Sequence, residues 1–500
     1  MIGRQLKKIT DKKNFTILLV VCAVVAGAIS LWIGLRQSVW FDEAYSILLA
    51  KQSVGELLRL TALDTHPPLY YLLLKGWAGL FGWSELSLRL LSVGGMMLAI
   101  FVGGMLVRRM FGSKIALASV LLLAFAPLVL RYGFEIRMYA DAMLIGVAAT
   151  YALYSAWQAT GRKKLLWLVV YGVLVAVGMY LLYYLAFLWI AHVVWLVYVH
   201  LRRRHAWKKL APYAVSYIVA VALFIPWLPT FVSQISNGAL APIGQPLNLE
   251  QLIGIITFNF IYQPLYAVTV PVTVVILAFI ATFVWAVPKA RRELKGKSDE
   301  VTLLATYIGV PIVLLMIISL TRSMYTERYL SHVAIGLVLL AGVIIAAAVQ
   351  RAAREKQRPF WAPIIIGSTI LVGTFTVATL GNFNFQRMQT PTVKEATAGL
   401  GTCVPDSKLL AADPYVATEL MYYLPDCELF FVSEWDTLRG GYAPFSGSDY
   451  QLKDIATLND RRVTYVFYST PDQSMPSKYA ETSRHAYGPL NVVQYLLSAE

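Results

Sequence analysis

Two adjacent carboxylates, Asp42 and Glu43, follow Trp40 and Phe41 directly after the first long apolar run of the chain. Charged groups next to a membrane span are costly, so this pair needs a structural or a chemical reason. One interpretation is structural: Asp42 caps the start of a helix and Glu43 complements the helix dipole. The other is chemical, because a carboxylate sheltered from bulk water can accept a proton as a general base. The spacing of the apolar residues leaves both interpretations open.

The composition is that of an integral membrane protein. Of the 500 residues, 58% are hydrophobic and 14% are charged, whereas soluble domains have roughly 45–50% and about 25%. A formal charge of +15 would indicate a polyanionic partner in a soluble chain. Here the basic residues sit in short loops between apolar runs, so we read them as a topology signal and predict no nucleic-acid partner.

Eleven apolar runs approach the length of about 20 residues that a membrane-spanning helix needs. They lie at 15–36, 86–107, 114–131, 139–159, 165–182, 184–201, 211–230, 266–287, 301–320, 331–349 and 361–380. The first is long for a signal peptide, so we read it as an uncleaved anchor. The sequence therefore predicts an α-helical polytopic protein with about eleven transmembrane helices.

Basic loops fall at alternate ends of these spans, and the positive-inside rule makes that face cytoplasmic. Residues 37–85, the loops at 131–139, 231–265 and 321–330, and all of 381–500 are then extracytoplasmic. This alternation requires the apolar block 165–201 to form a hairpin that turns near Tyr183 and Tyr184. We predict a plasma (inner) membrane protein.

The first external loop, 37–85, contains two candidate interfacial helices. From Asp42 onward, apolar residues recur at helical spacing with charged residues opposite, which predicts an amphipathic helix lying on the membrane with Asp42 at its N-cap. Pro67 and Pro68 then open a second apolar segment that is too short to span. These helices would shelter the loop carboxylates, which include Asp64; that residue can also cap the second helix.

The tail from residue 381 regains charges and prolines. Short β-like runs occur at 408–412, 428–432, 463–468 and 491–497, with a possible helix at 415–424. This pattern predicts a small α/β domain, so we divide the chain into a transmembrane domain, 1–380, and an extracytoplasmic domain, 381–500. Cys403 and Cys427 either form a disulfide there or remain two unpaired thiols.

Five motifs carry a resemblance to a known family. They are FDEAYS at 41–46, DTHPPLYYLL at 64–73, GWSELSLRLLSV at 82–93, RYGFEIRMYADAML at 131–144 and TERYL at 326–330. Together they resemble the bacterial protein O-mannosyltransferase and lipid A aminoarabinose transferase group of the GT-C glycosyltransferase superfamily. The resemblance covers residues 15–160 well, is weak in the middle spans and is absent in the tail.

The resemblance implies a GT-C type fold and a transferase that moves a sugar from a polyprenyl-phosphate carrier to an acceptor outside the cytoplasm. It assigns the base to Asp42 and the second acidic position to Glu43. The position before the Pro-Pro pair, near the donor phosphate in relatives, is His66, and the expected phosphate clamp is Arg328 with Tyr329. The chain lacks the large carbohydrate-binding insertion of the eukaryotic mannosyltransferases, which argues against a protein acceptor. The expected acceptor is a glycan, a lipid or, less in keeping with the family pattern, a protein.

Other residues of the outer loops are candidates with alternatives. Arg137 and Tyr139 are candidate donor-binding residues, although an arginine here can also simply lie at headgroup level. Asp64 is a further candidate for the substrate site. Glu135 can form a structural ion pair with a neighbouring arginine. His66 can stack in the interface, or bind a divalent cation with a nearby carboxylate; we predict no metal site and no obligatory cofactor.

The chemistry agrees with a lipid-linked donor. Nucleotide sugars are absent outside the cytoplasm, and the chain has no Asp-X-Asp triplet to hold a metal and a nucleotide diphosphate. A polyprenyl phosphate leaves as an anion, so one base suffices and direct displacement with inversion follows. A polysaccharide polymerase or ligase of another membrane fold is the main alternative, and a transporter of lipid-linked sugars is a weaker one, since transporter sites lie at mid-membrane.

The predicted topology has a direct test. A reporter fused after residue 205 should be active in the cytoplasm, and one fused after residue 385 should be active outside it, because Lys and Arg alternate between the loops. Cytoplasmic activity of the second fusion would contradict an extracytoplasmic site.

Overall fold

The computed structural model describes most of the chain. The described residues are 12–204, 207–236, 253–254, 259–260, 270–321, 327–357, 362, 364–367, 369, 392–400, 407–434 and 449–498. Three predicted features lie wholly or mostly outside these ranges: the span at 361–380, the external loop at 231–265 and Cys403.

The chain divides into two compact units. One, the helical unit, comprises Met1–Gly34, Arg89–Pro229 and Pro242–Thr379. The other, the loop–tail unit, comprises Leu35–Leu88, Thr230–Ala241 and Leu380–Glu500. The segment after the first span therefore groups with the C-terminal tail rather than with the spans.

The spans and their connections are helices of very different length. They are α1 (Lys12–Gly34), then, after the three loop helices α2 to α4 given below, α5 (Glu85–Phe111), α6 (Ser113–Ala124), α7 (Pro127–Gly133), α8 (Tyr139–Gln158), α9 (Gly161–Leu181), α10 (Leu185–Arg202), α11 (Ala211–Phe224), α12 (Leu228–Ser236), α13 (Val270–Glu293), α14 (Ser298–Ser319) and α15 (Ser331–Arg354). The predicted α-helical polytopic architecture is confirmed.

Seven helical segments within the described ranges are long and apolar enough to cross a membrane, and a bent pair raises this to eight. The seven are Lys13–Gly34, Glu85–Phe111, Gly161–Leu181, Leu185–Arg202, Trp207–Ser236, Lys295–Ser319 and Arg328–Arg354. Helices α8 and α13 occupy two further predicted spans. The total of eleven stays a prediction.

The run predicted as one span at 114–131 is broken. Helix α6 ends at Ala124 and α7 begins at Pro127, and the two axes differ by 59°. Proline has no backbone N–H to donate and its ring clashes with the preceding turn, which favours a break before Pro127. The predicted hairpin in 165–201 is confirmed, because α9 ends at Leu181 and α10 begins at Leu185.

The first external loop forms three short helices, α2 (Phe41–Lys51), α3 (Val54–Leu63) and α4 (Leu69–Phe81). The single helix predicted from Asp42 onward is wrong, since it divides at residues 52–53. Ser53 is the N-cap of α3 and its hydroxyl accepts the Glu56 N–H at 3.3 Å, which satisfies a free donor of the new helix. The predicted second segment is confirmed as α4, which Pro68 precedes.

The tail is a helix, α16 (Thr392–Leu400), followed by a small α/β domain. Its elements are β1 (Ser407–Ala411), α17 (Pro414–Tyr423), β2 (Leu429–Val432), β3 (Gln451–Leu452), β4 (Arg462–Tyr468), β5 (Tyr479–Tyr487) and β6 (Leu490–Leu497). The sheet order is β3-β2-β1-β4-β6-β5. Strands β3, β2, β1 and β4 are parallel to one another, and β6 is antiparallel to both of its neighbours, β4 and β5. The predicted α/β domain is confirmed.

Both faces of the central sheet are buried. Leu409 and Ala411 of β1 pack in one apolar cluster with Val416 and Leu420 of α17, whereas Leu410 packs in a second cluster on the other face. Because side chains alternate along a strand, burial on both sides makes β1 a continuous apolar run. The sheet thereby fixes α17, the helix that contacts the first external loop.

Candidate active site

The two adjacent carboxylates at the start of α2 have different environments. Glu43 is 1% exposed, and its Oε2 accepts the Trp40 N–H at 3.2 Å. The Asp42 side chain is only partly buried, and the Asp42 carbonyl accepts the Ser46 hydroxyl at 2.8 Å within the helix. Asp42 is thus the more accessible carboxylate of the pair.

The prediction that Asp42 is the N-cap is wrong. Trp40 is the N-cap, with extended backbone angles (φ −88°, ψ 170°), and Asp42 is the second helical residue. The side chain that reaches back to the cap is that of Glu43, the third helical residue, which is the usual position for this contact. The capping hydrogen bond to the Trp40 N–H is therefore made by Glu43.

Asp64 closes a buried turn after α3. Its Oδ1 accepts the Thr65 N–H at 2.6 Å and its Oδ2 accepts the Tyr71 hydroxyl at 3.0 Å. Asp64 is 2% exposed and lies at the C-terminal end of α3, so it does not cap α4, whose N-cap is Pro68. His66, in the same turn, is buried as well.

Gln234, which the sequence patterns did not single out and which is 170 residues from Asp64 in the chain, bonds to this turn. The Gln234 amide nitrogen donates to the Thr61 carbonyl at 3.0 Å and to the Asp64 carbonyl at 2.7 Å. Gln234 is 1% exposed. The Thr61 carbonyl also accepts the Asp64 N–H at 3.0 Å, so Gln234 is a second donor to that oxygen and links it to the Asp64 carbonyl, at the helix end where carbonyls need partners outside the helix.

The helical unit contains a buried ion pair in the segment 131–139. Arg131 and Glu135 are joined at 2.9 Å with side-chain exposures of 2% and 0%, so the predicted ion pair of Glu135 is confirmed. The Arg131 guanidinium also lies 4.9 Å from the centre of the Phe134 ring. Arg137 and Tyr139 follow in the same segment and are both buried.

Two of the predicted donor-binding residues, Arg328 and Tyr329, pack together in the helical unit. Tyr329 stacks on Tyr184 with ring centres 4.6 Å apart, and the Arg328 guanidinium lies 5.6 Å from the Tyr329 ring. Tyr184 is the residue that the sequence analysis named only as part of a hairpin turn.

No group of three or more His, Cys, Asp or Glu side chains in the described ranges is placed to hold a metal ion. Cys22 in α1 is a free, buried thiol, and Cys427 is disulfide-bonded. Since Cys403 lies outside the described residues, its pairing with Cys427 stays a prediction.

This geometry can be compared with known proteins. Residues 65–229, about a third of the chain, match the family model described as dolichyl-phosphate-mannose-protein mannosyltransferase. No curated protein sequence matches the chain.

Two solved structures match almost the whole chain. ArnT from Cupriavidus metallidurans bound to undecaprenyl phosphate matches with a TM-score of 0.65 and 15% identity, covering 97% of this chain and 98% of that one. The same protein in the apo state matches with a TM-score of 0.62 and 16% identity, and the match again covers 97% of this chain and 98% of that one. The oligosaccharyltransferase AglB from Archaeoglobus fulgidus, in complex with an inhibitory peptide and a dolichol-phosphate, matches with a TM-score of 0.45 and 13% identity. The match covers 90% of this chain and 69% of that one.

The resemblance inferred from the sequence motifs is confirmed. The chain has the GT-C fold of the ArnT structures, including the residues of the tail, where the motifs had shown no likeness. The family match begins at Thr65, in the His-Pro-Pro segment.

Proposed function

We propose that this chain, which has the GT-C fold, is an inverting glycosyltransferase that moves a sugar from a polyprenyl-phosphate donor to an acceptor hydroxyl on the extracytoplasmic face of the membrane. The description of the matching family names a lipid-phosphate sugar, and one ArnT structure contains undecaprenyl phosphate. Both facts support a lipid-linked donor for this chain. The acceptor is a glycan, a lipid or a protein of the cell envelope.

The observation that carries the proposal is the different placement of the two adjacent carboxylates. Glu43 is buried and hydrogen-bonded to the backbone at the N-cap, whereas Asp42 is partly exposed. A general base must reach the proton that it removes. Asp42 is therefore the base, and Glu43 supports it by fixing the turn from which Asp42 projects.

The reaction needs one base and no acid. Asp42 takes the proton of the acceptor hydroxyl while that oxygen attacks the anomeric carbon of the donor. The bond between this carbon and the phosphate oxygen breaks, and its electron pair leaves with the polyprenyl phosphate. Glycosidases need a second carboxyl group because their leaving group must be protonated, but a phosphate leaves as a stable anion.

The departing phosphate needs positive charge, and Arg328 is the proposed clamp. A guanidinium offers a planar fork of donors that matches phosphate oxygens. Its packing beside Tyr329, which in turn stacks on Tyr184, restricts the motion of the fork before the donor binds. Arg137, Tyr139, His66 and Asp64 are the further donor-site candidates.

The fold favours this function over the two alternatives. A polymerase or ligase of another membrane fold would not match the ArnT structures over 97% of the chain. A transporter of lipid-linked sugars would need its charges near the middle of the bilayer, whereas Asp42 and Glu43 follow the first span in a short loop helix.

Asp42→Asn is expected to abolish transfer and leave the fold and donor binding intact. The amide is nearly isosteric with the carboxylate, and the hydrogen bond to the N-cap N–H is made by Glu43, so stability should barely change. Turnover should fall roughly 10²-fold or more because the base is lost. The measurement is turnover of a purified polyprenyl-phosphate sugar, with thermal unfolding in detergent.

Two comparison variants sharpen this test. Glu43→Gln should be less impaired, because the amide oxygen can still accept the Trp40 N–H. Asp426→Asn, at an exposed carboxylate of the tail, should match the wild type. A stable and active Asp42→Asn enzyme would contradict the assignment of the base.

Arg328→Ala is expected to weaken donor binding about 10- to 100-fold, since a charge-assisted hydrogen bond is worth on the order of 1.5–3 kcal/mol. Arg328→Lys should recover only part of this, because a point charge replaces a planar fork. The measurement is the Kd of the lipid donor for each variant. Arg59→Ala is the control, since Arg59 forms an exposed pair with Glu56, and wild-type affinity of Arg328→Ala would place the clamp elsewhere.

A further inference from the structure

Within the loop–tail unit, helix α17 of the tail contacts the residues that lead into α2. The Phe41 N–H donates to Glu419 Oε1 at 3.0 Å, and the Val39 N–H donates to the Tyr423 hydroxyl oxygen at 2.7 Å. Glu419 and Tyr423 are four residues apart and so lie on one face of α17. These bonds join positions that are 378 and 384 residues apart in the chain.

A third residue on the same face of α17 packs against the same turn. The Tyr415 ring meets the Phe41 ring edge-to-face, with centres 4.8 Å apart, and the Phe41 ring meets the Trp40 ring at the same distance. Trp40 and Phe41 are both buried in this cluster. The stripe of Tyr415, Glu419 and Tyr423 therefore binds the start of α2 by rings and by backbone hydrogen bonds.

The burial of Glu419 indicates a specific role. It is 1% exposed, and a buried carboxylate is costly unless it is hydrogen-bonded. Phe41 is the first residue of α2, so its N–H is one of the donors that a helix leaves free at its start, where the dipole also favours negative charge. The Tyr468 hydroxyl of β4 approaches Glu419 Oε2 at 3.4 Å, which ties the same carboxylate to the sheet.

A second part of the tail holds the chain just upstream. In α16, the Lys394 ammonium pairs with Glu85 at 2.8 Å, and the Lys394 N–H donates to the Ser38 hydroxyl at 3.3 Å. The same ammonium lies 3.4 Å from the Leu35 carbonyl oxygen. The tail thus contacts residues 35–41 from two helices.

We propose that Glu419 is a positioning residue for the transfer reaction: it holds the Phe41 amide, fixes the start of α2 and so sets the direction in which Asp42 presents its carboxylate. This rests on the proposed function, in which Asp42 is the base. A misplacement of about 1 Å in reacting groups can cost roughly 10²-fold in rate. The C-terminal domain would then be part of the catalytic apparatus.

The test compares three variants of the full-length protein in the same transfer assay. Glu419→Ala removes the acceptor of the Phe41 N–H, and we expect kcat to fall about 10- to 100-fold with the donor KM within about twofold of wild type. Glu419→Gln keeps an oxygen at that position and should recover most of kcat. Thr418→Ala changes a buried neighbour whose hydroxyl bonds within α17, and should match the wild type.

Hydrogen exchange gives a readout that does not depend on turnover. The amides of residues 39–41 should exchange faster in Glu419→Ala than in wild type, and at near-wild-type rates in Glu419→Gln. If Glu419→Ala does not fold, Tyr423→Phe removes the acceptor of the Val39 N–H instead. We expect it to lower kcat several-fold and to speed exchange at Val39; wild-type kcat and exchange in that variant would overturn the proposal.

Three other results would overturn the proposed positioning role of Glu419. A folded Glu419→Ala enzyme with wild-type kcat would do so, as would an equal loss in Thr418→Ala or a loss that Glu419→Gln does not relieve. Asp42→Asn in the same assay separates this failure from that of the proposed function. An inactive Asp42→Asn with a fully active Glu419→Ala refutes only the positioning role, whereas an active Asp42→Asn refutes the base itself.

Discussion

Every helix begins with backbone N–H groups that have no partner inside the helix, and the start of α2 satisfies this constraint with side chains. The N–H groups of residues 39–41 each donate to a side chain, and two of the three acceptors belong to α17 of the tail. Asp42 follows immediately. The position of the proposed base therefore depends on a helix whose contacting residues lie 378 and 384 positions away in the chain.

The same residues explain why two neighbouring carboxylates can have separate roles. Glu43 and Glu419 are both buried, and the cost of burying each carboxylate is offset because it accepts a backbone N–H at the positive end of a helix dipole. Asp42, between these contacts, stays partly exposed. In the helical unit, Arg131 and Glu135 are buried in a different way, as a direct ion pair. An uncompensated charge there would be strongly destabilising.

Much of the fold could be predicted from the sequence, because hydropathy and strand patterns are local properties. The helical architecture, the hairpin at 182–184 and the strands β1, β2, β4 and β6 all follow from runs of residues. Strand β5 was missed because it is an edge strand whose residues are mostly exposed, so it has no apolar pattern. The break between α2 and α3 did have a signal, the Ser-X-X-Glu spacing of residues 53–56, which is typical of a helix start.

The parts that sequence reasoning could not reach depend on distant contacts. Glu419 looks like any acidic residue of a tail helix, and Gln234 looks like the polar end of an apolar run. Each acquires a role only when the fold brings a distant backbone N–H or carbonyl to it. Similarly, Tyr184 reads as a turn residue until Tyr329 stacks on it.

The central claim is that a single carboxylate drives direct displacement at the anomeric carbon. The most direct measurement is the anomeric configuration of the product that the purified enzyme forms from a polyprenyl-phosphate sugar of defined configuration, determined by NMR coupling constants. One base and one displacement predict a product of inverted configuration. Retention would require a second displacement, and would contradict the role proposed for Asp42.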